Sequence, residues 1–158
     1  MTALLGDAMA ALTSLFQASV GLAGVTVTEG DAPSVAADSE FIVVGHDGSL
    51  AADGSLAEFT VSGTFTTNFV TEGHPPGQQE DGRVNVVAVA QSGDAGDLPG
   101  RITRAQALLS ACDAACTDVT SGVIVFDSAG TGRLITRQAS AGCAAILAFT
   151  VIYSGPWG

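Results

Sequence analysis

The sequence predicts an α+β fold: a largely antiparallel or mixed central sheet, packed by an N-terminal helix and a central helix, with one long β-hairpin. Three observations predict it. The run Val84-Asn85-Val86-Val87-Ala88-Val89-Ala90-Gln91 is apolar on both faces, the signature of a strand inside a covered sheet. After the polar turn Ser92–Asp97, Ile102, Ala105, Leu109, Cys112, Cys116 and Val119 recur every three or four residues, which makes one helical stripe. Between Glu58 and Val70 the period drops to two, with Phe59, Val61, Phe65 and Phe69 facing one way and threonines the other, as in a strand with one dry and one wet face.

The remaining elements follow in order. Residues 3–22 read as an amphipathic helix through Leu4, Leu5, Ala8, Leu12, Leu15, Phe16 and Ser19, with Thr2 as its cap and Thr13 on the polar side. Val25–Thr28 is a short strand, residues 30–39 a surface loop, and Phe41–Gly45 a second buried strand. Asp-Gly-Ser turns follow at 47–49 and 53–55. Residues 71–82 (TEGHPPGQQEDG) hold no apolar anchor, and Pro75-Pro76 interrupts pairing, so they are expected to form an extended hairpin loop. Val123–Phe126 and Leu134–Arg137 flank the turn Ser128–Gly132 and read as a further hairpin. Cys143–Tyr153 is a central strand, and 154–158 a short tail ending near Trp157. Residues 1–158 thus read as one unit, without internal repeats.

Composition excludes several functions. Sixteen acids against five arginines, with no lysine, give a formal charge of −11. That disfavours nucleic-acid binding, which needs cations to replace phosphate counterions, and docking on anionic membranes. Solubility and adaptation to high salt both account for the charge. No signal peptide and no membrane span is evident. Cys112, Cys116 and Cys143 are spaced unlike a metal site and read as buried apolar thiols, consistent with assembly in a reducing compartment.

No catalytic, cofactor or metal residue emerges. His46 and His74 read as surface histidines, and no G-x-S-x-G elbow gives a serine meaning. Gly130-Thr131-Gly132-Arg133 resembles a phosphate loop but leads into a strand and lacks lysine. The arginines say more. Arg101 and Arg104 lie in the first turns of the central helix, where the helix dipole disfavours them. They, or Arg133 and Arg137, are expected either to face carboxylates of a neighbouring copy or to pair within the chain. The wet face of 58–70 is either plain solvent surface or a surface for another chain. Candidate interface residues are therefore Phe69, Glu72, Pro75, Gln78, Arg101, Arg104, Arg133, Arg137 and Trp157.

The order of an N-terminal helix, a threonine-rich strand, a polar loop and a strand ending Ala-Gln-Ser-Gly-Asp carries a resemblance. So do the helix Arg-Ala-Gln-Ala-Leu-Leu-Ser-Ala, the segment Gly-Thr-Gly-Arg-Leu and the final Ala-Ala-Ile-Leu-Ala-Phe-Thr-Val. From about Ala3 to Tyr153 the chain resembles the tail terminator, or tail completion, proteins of long-tailed bacteriophages, especially those of actinobacterial hosts. The resemblance implies a structural virion protein without catalysis or cofactor, made in the host cytoplasm and placed at the head-proximal end of the tail. It implies a homohexameric ring that ends tube growth, with the tail tube protein and the head–tail connector or stopper protein as partners. DNA would pass through the lumen without specific binding. A stopper, tube or connector protein shares this plan; a small ligand-binding domain from a salt-adapted organism is the other alternative.

Overall fold

The computed structural model describes residues 4–70, 77–117 and 124–156. They form a mixed six-stranded sheet with two helices on one face, the α+β arrangement expected. The chain runs α1 (Leu5–Ala18), a 3-10 turn (Val20–Leu22), β1 (Thr26–Glu29), β2 (Ser39–Val44), β3 (Gly63–Val70), β4 (Gly77–Ser92), α2 (Leu98–Thr117), β5 (Val125–Ala139) and β6 (Gly142–Pro156). β1 pairs with β2 in parallel, and every other pairing is antiparallel.

β4 organises the sheet. One of its edges pairs with β6 from Gln79 to Ser92. The other changes partner midway: Gly77–Val84 pairs with β3, and Val86–Gln91 with β2. Asn85 is the switch point. Its N–H donates to Ser62 O (2.9 Å), its carbonyl accepts from Gly45 N (2.7 Å) and His46 N (3.2 Å), and its side-chain amide donates to Val61 O (2.8 Å). Gly45, at φ +89°, turns the chain out of β2 at this point, a conformation that glycine adopts without strain.

Alternation along β4 divides the core. Val84, Val86 and Ala88 face the helices, where Ala8, Leu12 and Phe16 of α1 and Leu108, Cys112, Ala115 and Cys116 of α2 pack on them. Truncating Phe16 here would cost roughly 3–5 kcal/mol. Val87 and Val89 face the other way, onto Phe41, Val43, Ile146 and Ala148, and loops cover this second face through Val35 and Leu56. Because both faces are covered, β4 lacks the alternation that marks a half-exposed strand.

Several expectations need correction. Residues 77–82 are strand, not loop: flanking chains on both sides supply backbone partners, which local composition does not reveal. β3 starts at Gly63, so residues 58–62, Phe59 among them, lie outside it, and its phenylalanine face is not dry in the single chain, since Phe65 and Phe69 are exposed. Residues 125–139 are one strand with an irregularity between Ser128 and Gly132, and its hairpin partner is β6. Residues 154–156 extend β6 instead of forming a tail. α2 starts at Leu98, and its buried stripe is Ala105, Leu108, Cys112, Ala115 and Cys116, with the expected Ile102 and Leu109 only half-buried beside it. Thr13 is buried, its hydroxyl donating to Met9 O (2.8 Å). Thr2, His74 and Val119 lie outside the described residues.

His46 is the largest departure among the polar residues. It is buried at the start of the 46–62 loop. Its Nδ1 accepts from Gly48 N (3.0 Å) and its Nε2 lies 3.0 Å from Ala57 O. An acceptor Nδ1 with a donor Nε2 fixes the neutral tautomer carrying its proton on Nε2. The ring thereby pins both ends of a loop that lies on the second face, where Gly48 comes so close to Ala148 that a Cβ would meet its side chain at 2.8 Å. His46→Ala strands one buried and one half-buried backbone group and is expected to cost about 1–3 kcal/mol, read as a lowered thermal midpoint by circular dichroism.

Candidate assembly surface

The candidate surface residues fall in two places: the β3–β4 hairpin, and the arginines on α2 and β5. The hairpin is anchored from beneath. Residue for residue, Gly63 opposes Val84, Phe65 opposes Gly82, Thr67 opposes Glu80 and Phe69 opposes Gln78. Paired residues share a face, so Phe65 and Phe69 stand on the helix side of the sheet. Glu80, on the same side, is fully buried. Its Oε1 accepts from Leu4 N at the foot of α1 (3.0 Å), and its Oε2 accepts from the Tyr153 hydroxyl (2.5 Å). Tyr153 reaches it by lying over Gly82, where a Cβ would sit 2.5 Å from the ring. Glycine is required there by the ring, not by its own backbone angles. Burial, and then the bond to Glu80, push the Tyr153 phenol well above its ordinary range.

On the opposite face the hairpin is polar. Asp81 accepts from Asn68 Nδ2 (3.1 Å) and from Gln79 Nε2 (3.0 Å), tying the two strands together. The aromatic row is left outward: Phe59 is 92 %, Phe69 65 % and Phe65 47 % exposed. Gln78 is exposed beside them. Glu72, Pro75 and Trp157 lie outside the described residues.

The arginines all find intrachain neighbours. Arg104 on α2 grips Glu40 on β2 with Nε and Nη2 at 2.8 and 2.9 Å, a bidentate geometry. That hydrogen bond holds the Glu40 carboxyl below its usual range. Arg101 Nε lies 2.9 Å from Asp97 Oδ2, one turn back, at an angle short of a directed hydrogen bond. The local acids thus offset the dipole cost of two cations at a helix start. Arg133 donates from Nη2 to Asp47 O (2.9 Å), fastening β5 to the 46–62 loop. Arg137 sits at the rim of a cavity of about 330 Å³ floored by Phe41, Val89 and Ile146. It adds to the hydrogen bonds from Ser55 that lower the Asp53 carboxyl.

Two buried residues escaped the sequence reading. Glu80 sits in a stretch that reads as a polar loop, with partners 73 and 76 residues away, and His46 in a glycine-rich turn, where one partner is Gly48 two residues on and the other, Ala57, is 11 residues away. The three cysteines are buried and free, as expected. Burial raises the Cys112 thiol far above its usual range and pushes Cys116 up to about 12, so neither is a reactive thiolate. Among the described residues no three histidine, cysteine or acidic side chains gather as a metal site requires, and no helix is long and apolar enough to cross a membrane.

Two outcomes test this geometry. Glu80→Ala leaves the Tyr153 hydroxyl and Leu4 N without their acceptor and is expected to cost about 2–4 kcal/mol. Hydrogen exchange should then show 77–82 opening before the rest of β4, with Glu80→Gln milder. The Glu40–Arg104 pair is partly exposed and contributes roughly 0.5–1 kcal/mol. Its folded carboxyl is depressed, so that contribution is complete above the ordinary glutamate value of 4.5 and fades as pH falls through the lowered one. Urea titrations of wild type and Glu40→Gln at pH 7 should differ by that amount, and converge in acid.

No family model matches the sequence, and no curated protein matches it either.

Proposed function

We propose that this chain is a structural subunit of a long-tailed bacteriophage, forming the ring that caps the head-proximal end of the tail tube. The ordered resemblance to tail terminator proteins supports this reading. The observation that carries the structural half is the β3–β4 hairpin: a doubly anchored arm on which Phe65 and Phe69 are exposed, on an otherwise acidic molecule. Contiguous exposed aromatics of this kind mark protein–protein contact. A closed ring needs a heterologous contact, in which different patches of one subunit meet, and the arm provides one such patch. The ring ends tube polymerisation and presents its free side to the connector. Its anionic surface, from subunits of formal charge −11, disfavours sticking of DNA that passes through.

The rival within the same virion is a tube, stopper or connector subunit, and the phenotype of a phage lacking the gene separates them. Electron microscopy is expected to show overlong tails for a terminator. Normal-length tails, or the absence of tubes, would overturn the reading.

A further inference from the structure

The sheet ends in a strand that ordinary edge protection has not reached. β3 pairs with β4 on one side, and among the described residues no strand covers its other side. Free edges are usually blunted by lysine, proline, inward charge or a bulge. Here residues 59–71 contain neither a charged side chain nor a proline, and β3 shows no register shift against β4. High β propensity without charge is the composition that pairs with other chains.

We propose that β3 adds edge-on to β5 of a second copy of this chain, so that the sheets of neighbouring subunits run on into one another. Electrostatics favour a copy as the occupant. Copies of formal charge −11 repel, and the charge-free segment is where they approach at least cost. β5 carries two arginines and one aspartate and is, among the described strands, the net-positive one, while Glu58 and Asp81 flank the β3 side. Both strands are long, eight and fifteen residues. They lie toward opposite sides of the sheet, separated by β4 and β6, so the contact is head-to-tail, the kind from which rings are built.

The faces also agree. Phe65 and Phe69 stand on the helix side, and so does Leu134, which opposes Leu147 and is 43 % exposed. A head-to-tail array keeps all helices on one side, with Phe65 at the height of Phe126 on the facing strand. At ~200 Å² per aromatic side chain, Phe65 and Phe69 expose roughly 220 Å², about a quarter of what one partner of a stable interface buries. The edge backbone and its threonines supply the rest. The proposal deepens the ring reading, which tail length tests separately.

Sedimentation velocity on the full chain is expected to give a closed oligomer, and Thr66→Lys/Phe69→Lys a monomer with its dissociation constant raised roughly 100-fold or more. A chain with Thr67→Cys mixed with one carrying Val125→Cys, which the registers put one residue from the same height, plus a bifunctional maleimide, is expected to link only in the mixture. The native cysteines, all buried, stay silent. The proposal is overturned by a wild type that stays monomeric, by a lysine variant of unchanged mass, or by Thr67→Cys chains that link to one another. If the lysine variant fails to fold, the linking experiment alone decides.

Discussion

The structure depends on one strand that satisfies its backbone twice over. β4 is bonded along one edge to β6 and along the other to β3 and then β2, while its side chains are divided between two covered faces. A one-residue slip would exchange those faces completely, so register is fixed by every residue from Val84 to Ala90. Asn85 makes the change of partner possible without an orphaned backbone group, because its carbonyl serves the chain leaving β2 and its N–H serves the chain arriving at β3. Where the partner changes, a gap would otherwise open in the sheet, and unpaired buried amides are costly.

The hairpin is an extension of this arrangement, not an ornament on it. Residues 77–82 are held by the same strand that forms the core, and Glu80 couples them to α1 and β6 at a position where water is excluded. A buried carboxylate is tolerated because its two bonds replace much of the lost hydration. The rigid part lies beneath the aromatic row, and the aromatic side chains stand partly or largely exposed above it. Rigidity below and exposure above suit a contact whose partner is met after folding, since little ordering entropy then remains to be spent.

Much of this plan was legible in the sequence, and what was not has a physical reason. The two-sided apolar run 84–91 and the 3–4 spacing of α2 report burial directly, because the covered face leaves its period in the residues. The arm did not, because Gly77-Gln78-Gln79-Glu80-Asp81-Gly82 is polar for reasons of tertiary structure: Gly82 makes room for Tyr153, Glu80 binds it, and Asp81 spans to Asn68. Each explanation lies at least 13 residues away in sequence. The interruption at 128–132 likewise reads as a turn by composition, yet β6 keeps it inside a strand. On the candidate surface, the phenylalanines were visible as a periodic row, but periodicity marks a face and is silent on what covers it. The arginine pairs were equally hidden: Arg104 meets Glu40 across 64 residues.

The double pairing of β4 also determines how the molecule carries force. A pull on the hairpin tip along the strand axis is resisted by the β4–β6 ladder over its whole length, with the hydrogen bonds sharing the load in shear instead of parting one after another. Such a strand behaves as a tie-rod running from the exposed arm through the centre of the subunit to the side of α2. Strain applied at the outer end therefore reaches the far end with little give, and the loops are spared it.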